Sequence, residues 1–341
     1  MNKPKVFVTR HILESGLRLV MDFCEADIWP GELPPNREEI LNHVRGQQGL
    51  LCLLTDRIDR EVMEAAGPGL KVISNCAAGV DNVDVPAATA HAVPVGNTPG
   101  VLTDATADFT FALLLAAARR LVDGERQVRS GGWKTWSLDN LLGADFSGAV
   151  LGLVGFGQIG QAVARRACGF GMQIIYSDPN PNVPPDQNRE RTNETRIKAK
   201  RVELDTLLRE SDFISLHTPL TGETRGLINA AAFAKMKPSA VLVNTSRGPV
   251  VDQVALFEAL KSHHIFAAAL DVTEPEPLPT DSPLLKLDNC IVVPHIASAS
   301  WRTRQNMSRM AAENLIAGLK GEHLPNCVNP EVYSRRKQVS N

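Results

Sequence analysis

No stretch of this sequence is long and apolar enough to cross a bilayer. Its longest unbroken apolar run, Phe111 to Ala118, has eight residues, against roughly 20 for a spanning helix. Charge of one sign is lacking too: 36 basic and 38 acidic residues are well mixed and leave a formal charge of −2. Without a basic field to neutralise a phosphate backbone, nucleic-acid binding is not expected. The six cysteines (24, 52, 76, 168, 290 and 327) form no C-x-x-C pair, so neither a disulfide framework nor a zinc site is expected. The histidines show no paired-ligand spacing, and no metal is expected. Internal repeats of fixed period are absent. The N-terminal run Met1 to Val8 enters a strand-like segment with no secretory apolar region, which together with the scattered thiols predicts a cytoplasmic chain.

What is present is alternation. Short apolar runs exchange with helical patterns along 341 residues of ordinary globular composition, 43% of them apolar. This predicts an α/β chain with parallel sheets, and the length favours two domains. Val6 to Thr9, Gly49 to Leu54 and Val72 to Cys76 read as strands, with helical spacing at Asn36 to Val44 and Arg60 to Ala66. The Pro/Gly/Asn stretch Pro94 to Pro99 closes this first unit. A long helix is predicted from Thr103 through Leu121, with Asp104 early and Arg119-Arg120 late, an order that suits the helix dipole. A second unit opens near Val150. Its runs GLVGFGQIG, IIYSD, DFISLHTPL, AVLVNTS, AALDV and CIVVPH predict a parallel sheet of about six strands. Pro179 to Lys200, polar and rich in Pro, Asn and Arg, reads as a surface loop. A further helix is predicted from about Ser300 to Lys320, followed by a polar tail at 334–341.

One motif in the second unit carries chemistry. Gly155-Phe156-Gly157-Gln158-Ile159-Gly160 is a G-x-G-x-x-G that follows an apolar strand and opens a helix, and the next strand ends at Asp178. A dinucleotide needs each part. The first glycine makes the tight turn, the second admits the pyrophosphate, and the third packs helix on strand. The helix N-terminus faces the phosphates, and the acid reaches the ribose hydroxyls.

The stretches NCAAGVDNVDV, NTPGVLTDATADFTFALLLAAARR, VGFGQIG, SDFISLHTPLTGET, VLVNTSRGPVVD, AALDVTEPEPLP and VPHIAS resemble those of the D-isomer-specific 2-hydroxyacid dehydrogenases, most closely the glyoxylate/hydroxypyruvate reductase branch. The resemblance implies two Rossmann-like domains. A flavodoxin-like substrate domain (1–99 plus 296–333) would receive a cofactor domain (100–295) as an insertion, with the active site in the cleft and closure about Thr98-Pro99 and Pro294-His295. It implies Arg247 as the substrate-orienting cation, His295 as general acid/base and Glu276 as its carboxylate partner. Leu54, Ala78, Gly79 and Trp136 would contact substrate, Ala78 and Gly79 through backbone N–H groups. Trp136 would do so across a homodimer. Thr106, Gln158, Ile159, Asp178, Pro219, Thr245, Ser246, Asp271, His295 and Ser298 would join the three glycines at the cofactor. His217 reads as structural or cofactor-adjacent.

The chemistry asks for these residue types. Reducing a 2-oxo acid moves a hydride to the carbonyl carbon and a proton to its oxygen. A permanently charged Arg can grip the carboxylate and polarise the carbonyl, a histidine can donate the proton near neutrality, and a carboxylate fixes its ring. Within the family, Glu276 stands where formate dehydrogenases have glutamine, and Ala78 where phosphite dehydrogenases have lysine. The expected reaction is therefore reduction of glyoxylate or hydroxypyruvate. Other D-2-hydroxy-acid couples, such as 2-ketogluconate or D-glycerate, and an NAD-binding corepressor-like scaffold are the alternatives. Asp178 favours NADH, while Arg189, Arg191 and Arg196 in the following loop leave NADPH open.

Overall fold

The computed structural model describes residues 3–180 and 198–334. In chain order the first elements are β1 (Lys5–Val8), α1 (Glu14–Phe23), β2 (Glu25–Ile28), α2 (Arg37–His43), β3 (Gly49–Cys52), α3 (Arg60–Ala66), β4 (Val72–Asn75), α4 (Val85–Ala90) and β5 (Val95–Gly96). Then come α5 (Thr103–Ala118), α6 (Leu121–Arg129), β6 (Val150–Val154), α7 (Gln158–Gly169), β7 (Gln173–Ser177), β8 (Ala199–Arg201), α8 (Leu204–Glu210), β9 (Phe213–Leu216) and α9 (Ala230–Phe233). The chain ends with β10 (Val241–Asn244), α10 (Gln253–Lys261), β11 (Ala267–Leu270), β12 (Cys290–Val292) and α11 (Trp301–Lys320). Two compact units result, Met1–Leu102 with Ala299–Asn341, and Thr103–Ser298.

The first unit is a five-stranded parallel sheet in the order β2-β1-β3-β4-β5, the flavodoxin-like arrangement. Its strands are short and, apart from the edge strand β2, mostly apolar and buried, and α1 and α11 pack together on it. Two strands were not legible in the sequence: β2, with only four half-polar residues at the edge, and β5, two residues inside the Pro94–Pro99 stretch.

The second unit is a seven-stranded parallel sheet, β12-β11-β10-β9-β6-β7-β8. Counted from its own first strand, this is the dinucleotide-fold order 3-2-1-4-5-6 with one strand added. The expectation of six strands is corrected by β8. Ala199 and Lys200 were expected to end the loop, yet with Arg201 they pair with β7 as Ile174↔Ala199, Ile175↔Lys200 and Tyr176↔Arg201. It is an edge strand, where Lys and Arg are tolerated and apolar patterning is weak. Arg189, Arg191 and Arg196 lie outside the described residues.

The long helix predicted from Thr103 also needs correction. It ends at Ala118, short of Arg119-Arg120, and α6 follows after Arg120 at φ +52°. The N–H of Ala144 takes the Ala118 carbonyl at 3.0 Å, removing an acceptor the helix would need to continue. α5 is largely apolar and is buried against α7, β10 and β11, with Asp104 and Asp108 on its one exposed stripe paired with Arg166 of α7.

Candidate active site

The site begins at the point where the strand order of the second unit reverses, between β6 and β9. Gly155 leaves β6 at φ +91°, and a Cβ there would stand 2.6 Å from the His217 carbonyl beyond β9. Only glycine meets both demands. Gly160 lies so close to the Gly155 carbonyl that a Cβ would approach it to 2.4 Å, whereas one on Gly157 would meet nothing within 4 Å. Gly157 is also the N-cap of α7 and gives it no side-chain cap. The first-turn N–H groups of a 12-residue helix thus face open space, the arrangement an anion requires.

Asp178, just beyond β7, accepts the N–H of Phe156 at 2.7 Å through Oδ2 and that of Asn180 at 2.9 Å through Oδ1. Its carboxylate is thereby fixed beside the glycine turn. Gln158 is exposed, and Ile159 packs its side chain on the core, so Ile159 has only its backbone to offer a ligand. Thr218, before the exposed Pro219, buries a hydroxyl that has no hydrogen-bond partner among the described residues. An orphaned buried donor beside an open helix end fits a nucleotide. Sequence reading missed Thr218; its signal was its position after an apolar strand at the switch point.

On β10 the buried Asn244 holds the next turn. Its Oδ1 accepts Ser246 N–H (3.0 Å) and Oγ–H (2.8 Å), and its Nδ2 donates to the Arg247 carbonyl at 2.8 Å. The Thr245 hydroxyl meets that of Thr110 at 2.8 Å, and Thr110 donates to the Thr106 carbonyl at 2.8 Å, tying α5 to the turn. Arg247 is half-buried and its Nη1 donates to Ser246 O at 2.8 Å. Gly248 follows where a Cβ would stand 2.0 Å from the Thr273 carbonyl. That glycine lets the Arg247 turn pack against the loop that carries Glu276. Asn244 was also missed, since a buried Asn is not distinguishable in sequence from a solvated one.

Glu276 and His295 do come together: His295 Nδ1 lies 2.5 Å from Glu276 Oε1. His295 has φ +53°, a conformation that non-glycine residues adopt at a cost and that is concentrated at functional sites. Asp271, at the end of β11 and 1% exposed, holds it there. Its backbone carbonyl accepts His295 N–H at 2.9 Å, and its carboxylate accepts Ile296 N–H (2.7 Å) and Ala297 N–H (2.9 Å). Burial pushes the Asp271 carboxyl above its ordinary range, against the pull of those two N–H groups. Ser298 is half-buried one residue further on. His217 donates to or accepts from Ser215 Oγ at 2.9 Å, and burial lowers its imidazole to about 3, so this histidine is neutral and structural. Among the described residues no group of His, Cys, Asp and Glu could hold a metal, and no helix is long and apolar enough to cross a membrane.

The profile of the D-isomer specific 2-hydroxyacid dehydrogenase NAD binding domain matches residues 111–297. The chain belongs to the D-isomer-specific 2-hydroxyacid dehydrogenase family. The match spans the glycine turn, Asp178, Arg247, Glu276 and His295. Among the family's curated proteins, the glyoxylate reductase of Korarchaeum cryptofilum is 52% identical over 335 residues, 98% of either chain. Among solved structures, a glyoxylate reductase from Paecilomyes thermophila superposes with a TM-score of 0.84 at 31% identity, covering 96% of this chain and 99% of that one. The NADPH-dependent glyoxylate/hydroxypyruvate reductase of Sinorhizobium meliloti superposes at 0.80 with 29% identity, covering 96% and 98%.

In the first unit, described by itself, Leu54, Ala78 and Gly79 lie on loops after β3 and β4 and are half-buried. Asn97 Nδ2 donates to the Ala78 carbonyl at 2.7 Å and Asn75 Nδ2 to that of Gly79 at 3.0 Å. Both carbonyls are thus turned inward, and neither N–H has an acceptor among the described residues. Trp136 is 76% exposed in the segment after α6.

Proposed function

We propose that this chain reduces glyoxylate and neighbouring small 2-oxo acids to 2-hydroxy acids, with a nicotinamide dinucleotide as reductant. The observation that carries the proposal is the His295–Glu276 pair at 2.5 Å, held in a left-handed turn by Asp271. It occurs in the same unit as an uncapped helix N-terminus suited to a dinucleotide. The names borne by the relatives support the choice of substrate.

When bound, the reduced nicotinamide supplies the hydride that adds to the carbonyl carbon. Arg247 grips the substrate carboxylate and polarises the carbonyl, a task for a planar fork that never loses its charge. His295 delivers the proton to the carbonyl oxygen. Because Nδ1 faces Glu276, Nε2 is the atom that gives up the proton, and Nδ1–H remains on Glu276 throughout. Ala78 and Gly79 would offer N–H groups to an anion, and Leu54 would limit the size of the substrate side chain. Such size limits are worth a few kcal/mol per methylene at most, roughly 1–3, so small homologues of glyoxylate should also react. In this reading Thr103–Ser298 is the cofactor domain and the other unit the substrate domain.

The reading extends to the surroundings of the site. Leu121, Val128, Trp133, Trp136, Leu138 and Leu142 are all exposed large apolar residues, an unusual density for water-facing surface. A second copy of the chain would cover them, making a cytoplasmic homodimer to which Trp136 contributes. Sedimentation of the purified chain tests this, with a mass twice that of one chain expected.

The activity itself is tested by following NADH absorbance with glyoxylate, hydroxypyruvate, pyruvate and 2-ketogluconate in turn. The expected result is rapid oxidation with the first two. Dinucleotide binding with no turnover on any of them would overturn the proposal in favour of a binding role.

A further inference from the structure

The expected preference for NADH rests on Asp178, whose carboxylate would repel a 2′-phosphate. Beside that acid stands a cation whose role the sequence did not reveal. Arg201 ends β8 in register with Tyr176 of β7, and its Nη2 donates to the Asp178 backbone carbonyl at 2.7 Å. A guanidinium carries five N–H donors. This bond uses one of them, and Arg201 makes no ion pair among the described residues. The side chain is exposed, and its remaining donors have no acceptor among the described residues.

The order of strands says which ligand atom they would meet. β6, β7 and β8 are consecutive neighbours. In a dinucleotide fold the pyrophosphate lies at the turn after the first of these and the adenosine ribose at the acid after the second. The C-terminal end of the third is then the next place along the sheet, beyond the 2′-hydroxyl. Edge strands also carry cations to discourage strand pairing, but Lys200 already supplies one within β8. The guanidinium of Arg201 is instead turned back onto the end of β7, and its planar fork matches a phosphate in a way that an ammonium does not.

We propose that Arg201 receives the 2′-phosphate of NADPH and offsets the charge of Asp178, so that this chain uses both dinucleotides. The proposal rests on the reading of the Gly155–Gly160 turn as a nucleotide site. The two are separable. If the turn is not a nucleotide site, neither NADH nor NADPH binds the wild-type chain. If only the role of Arg201 is wrong, dinucleotide binds but its discrimination ignores that side chain.

The experiment is a fluorescence titration of NADH and NADPH into the wild-type chain, Arg201→Ala and Arg201→Lys. Wild type should bind both. Loss of a charged hydrogen-bonding partner should weaken NADPH roughly 10- to 100-fold in the alanine variant, with NADH changed less than about twofold and the lysine variant between the two for NADPH. Raising salt should weaken NADPH more than NADH in wild type, and equally in Arg201→Ala. A wild type that binds only NADH, or an alanine variant that weakens both dinucleotides equally or neither, would overturn the proposal.

Discussion

The two units are built on the same plan, a parallel sheet with a point where strand order reverses, yet they treat that point in opposite ways. In the second unit the reversal lies between β6 and β9, and glycines keep it clear: α7 begins there without a side-chain cap. In the first unit the reversal lies between β1 and β3, and the protein fills it with its own groups. Thr9 Oγ1 donates to Asp56 Oδ2 at 2.5 Å across it, and Leu53 N–H donates to the same oxygen at 2.7 Å. The N-terminus of α1 is likewise occupied, since Ser308 Oγ accepts Leu13 N–H at 2.8 Å and Gln305 Oε1 accepts Ser15 N–H at 3.2 Å. The fold supplies a crevice in both places. Whether a nucleotide can use it is decided by a few side chains, here by their absence in one unit and their presence in the other.

The largest expected effect concerns the residues that the second unit adds to its open crevice. His295→Gln should lower turnover by about 10² to 10⁴-fold, the usual contribution of a general acid, while NADH still binds at the glycine turn. Turnover near wild type would remove His295 from the mechanism. Next comes Arg247→Lys. Keeping the charge but losing the fork should raise KM and lower kcat together, by about 10²-fold in kcat/KM as a positioning loss. Near-normal kinetics would argue against two-point recognition of the substrate.

A smaller pair of changes addresses the crevices directly. Gly157→Ala introduces a methyl group that touches nothing in the protein, so thermal stability should hold while NADH affinity falls about tenfold or more as backbone approach to the pyrophosphate is lost. Ser308→Ala should do the reverse, costing about 1 kcal/mol by uncapping α1 and leaving NADH affinity unchanged. If the two variants behaved alike, the contrast between the units would be lost.

A further effect is one of pH. His217 is held near 3 in the fold, against about 6.5 in an unfolded chain. Its contribution to stability is complete above pH 6.5 and is lost as pH falls towards 3, because there the unfolded state binds the extra proton. The slope is at most about 1.4 kcal/mol per pH unit. Melting temperatures between pH 7 and 4.5 should show it, and His217→Asn should flatten that part of the profile.

Much of the second unit was legible because each signal answers a local physical demand. Gly155 is required by a positive φ and a close carbonyl, Gly160 by helix packing, and Gly248 by the Thr273 carbonyl; such glycines are visible as motifs. The pairing of His295 with Glu276 followed from the resemblance, since nothing in the spacing of 19 residues implies contact. What escaped the sequence depends on partners distant in the chain. β8 is a strand only because β7 offers it a ladder. α5 stops at Ala118 because Ala144 takes its carbonyl. Asn244, Thr218 and Arg201 look like ordinary polar residues until the turns around them are folded. In the first unit β2 was too polar, and β5, two residues long, too short to stand out.

The central claim is that the second unit couples hydride transfer to proton donation from His295. It is tested most directly by mixing the NADH-loaded chain with glyoxylate in a stopped-flow instrument, following absorbance at a wavelength specific to NADH and quantifying glycolate at the end. One glycolate formed per NADH consumed is expected in a fast single turnover, slowed by about 10² to 10⁴-fold in His295→Gln. No loss of NADH absorbance, or loss without glycolate, would contradict it.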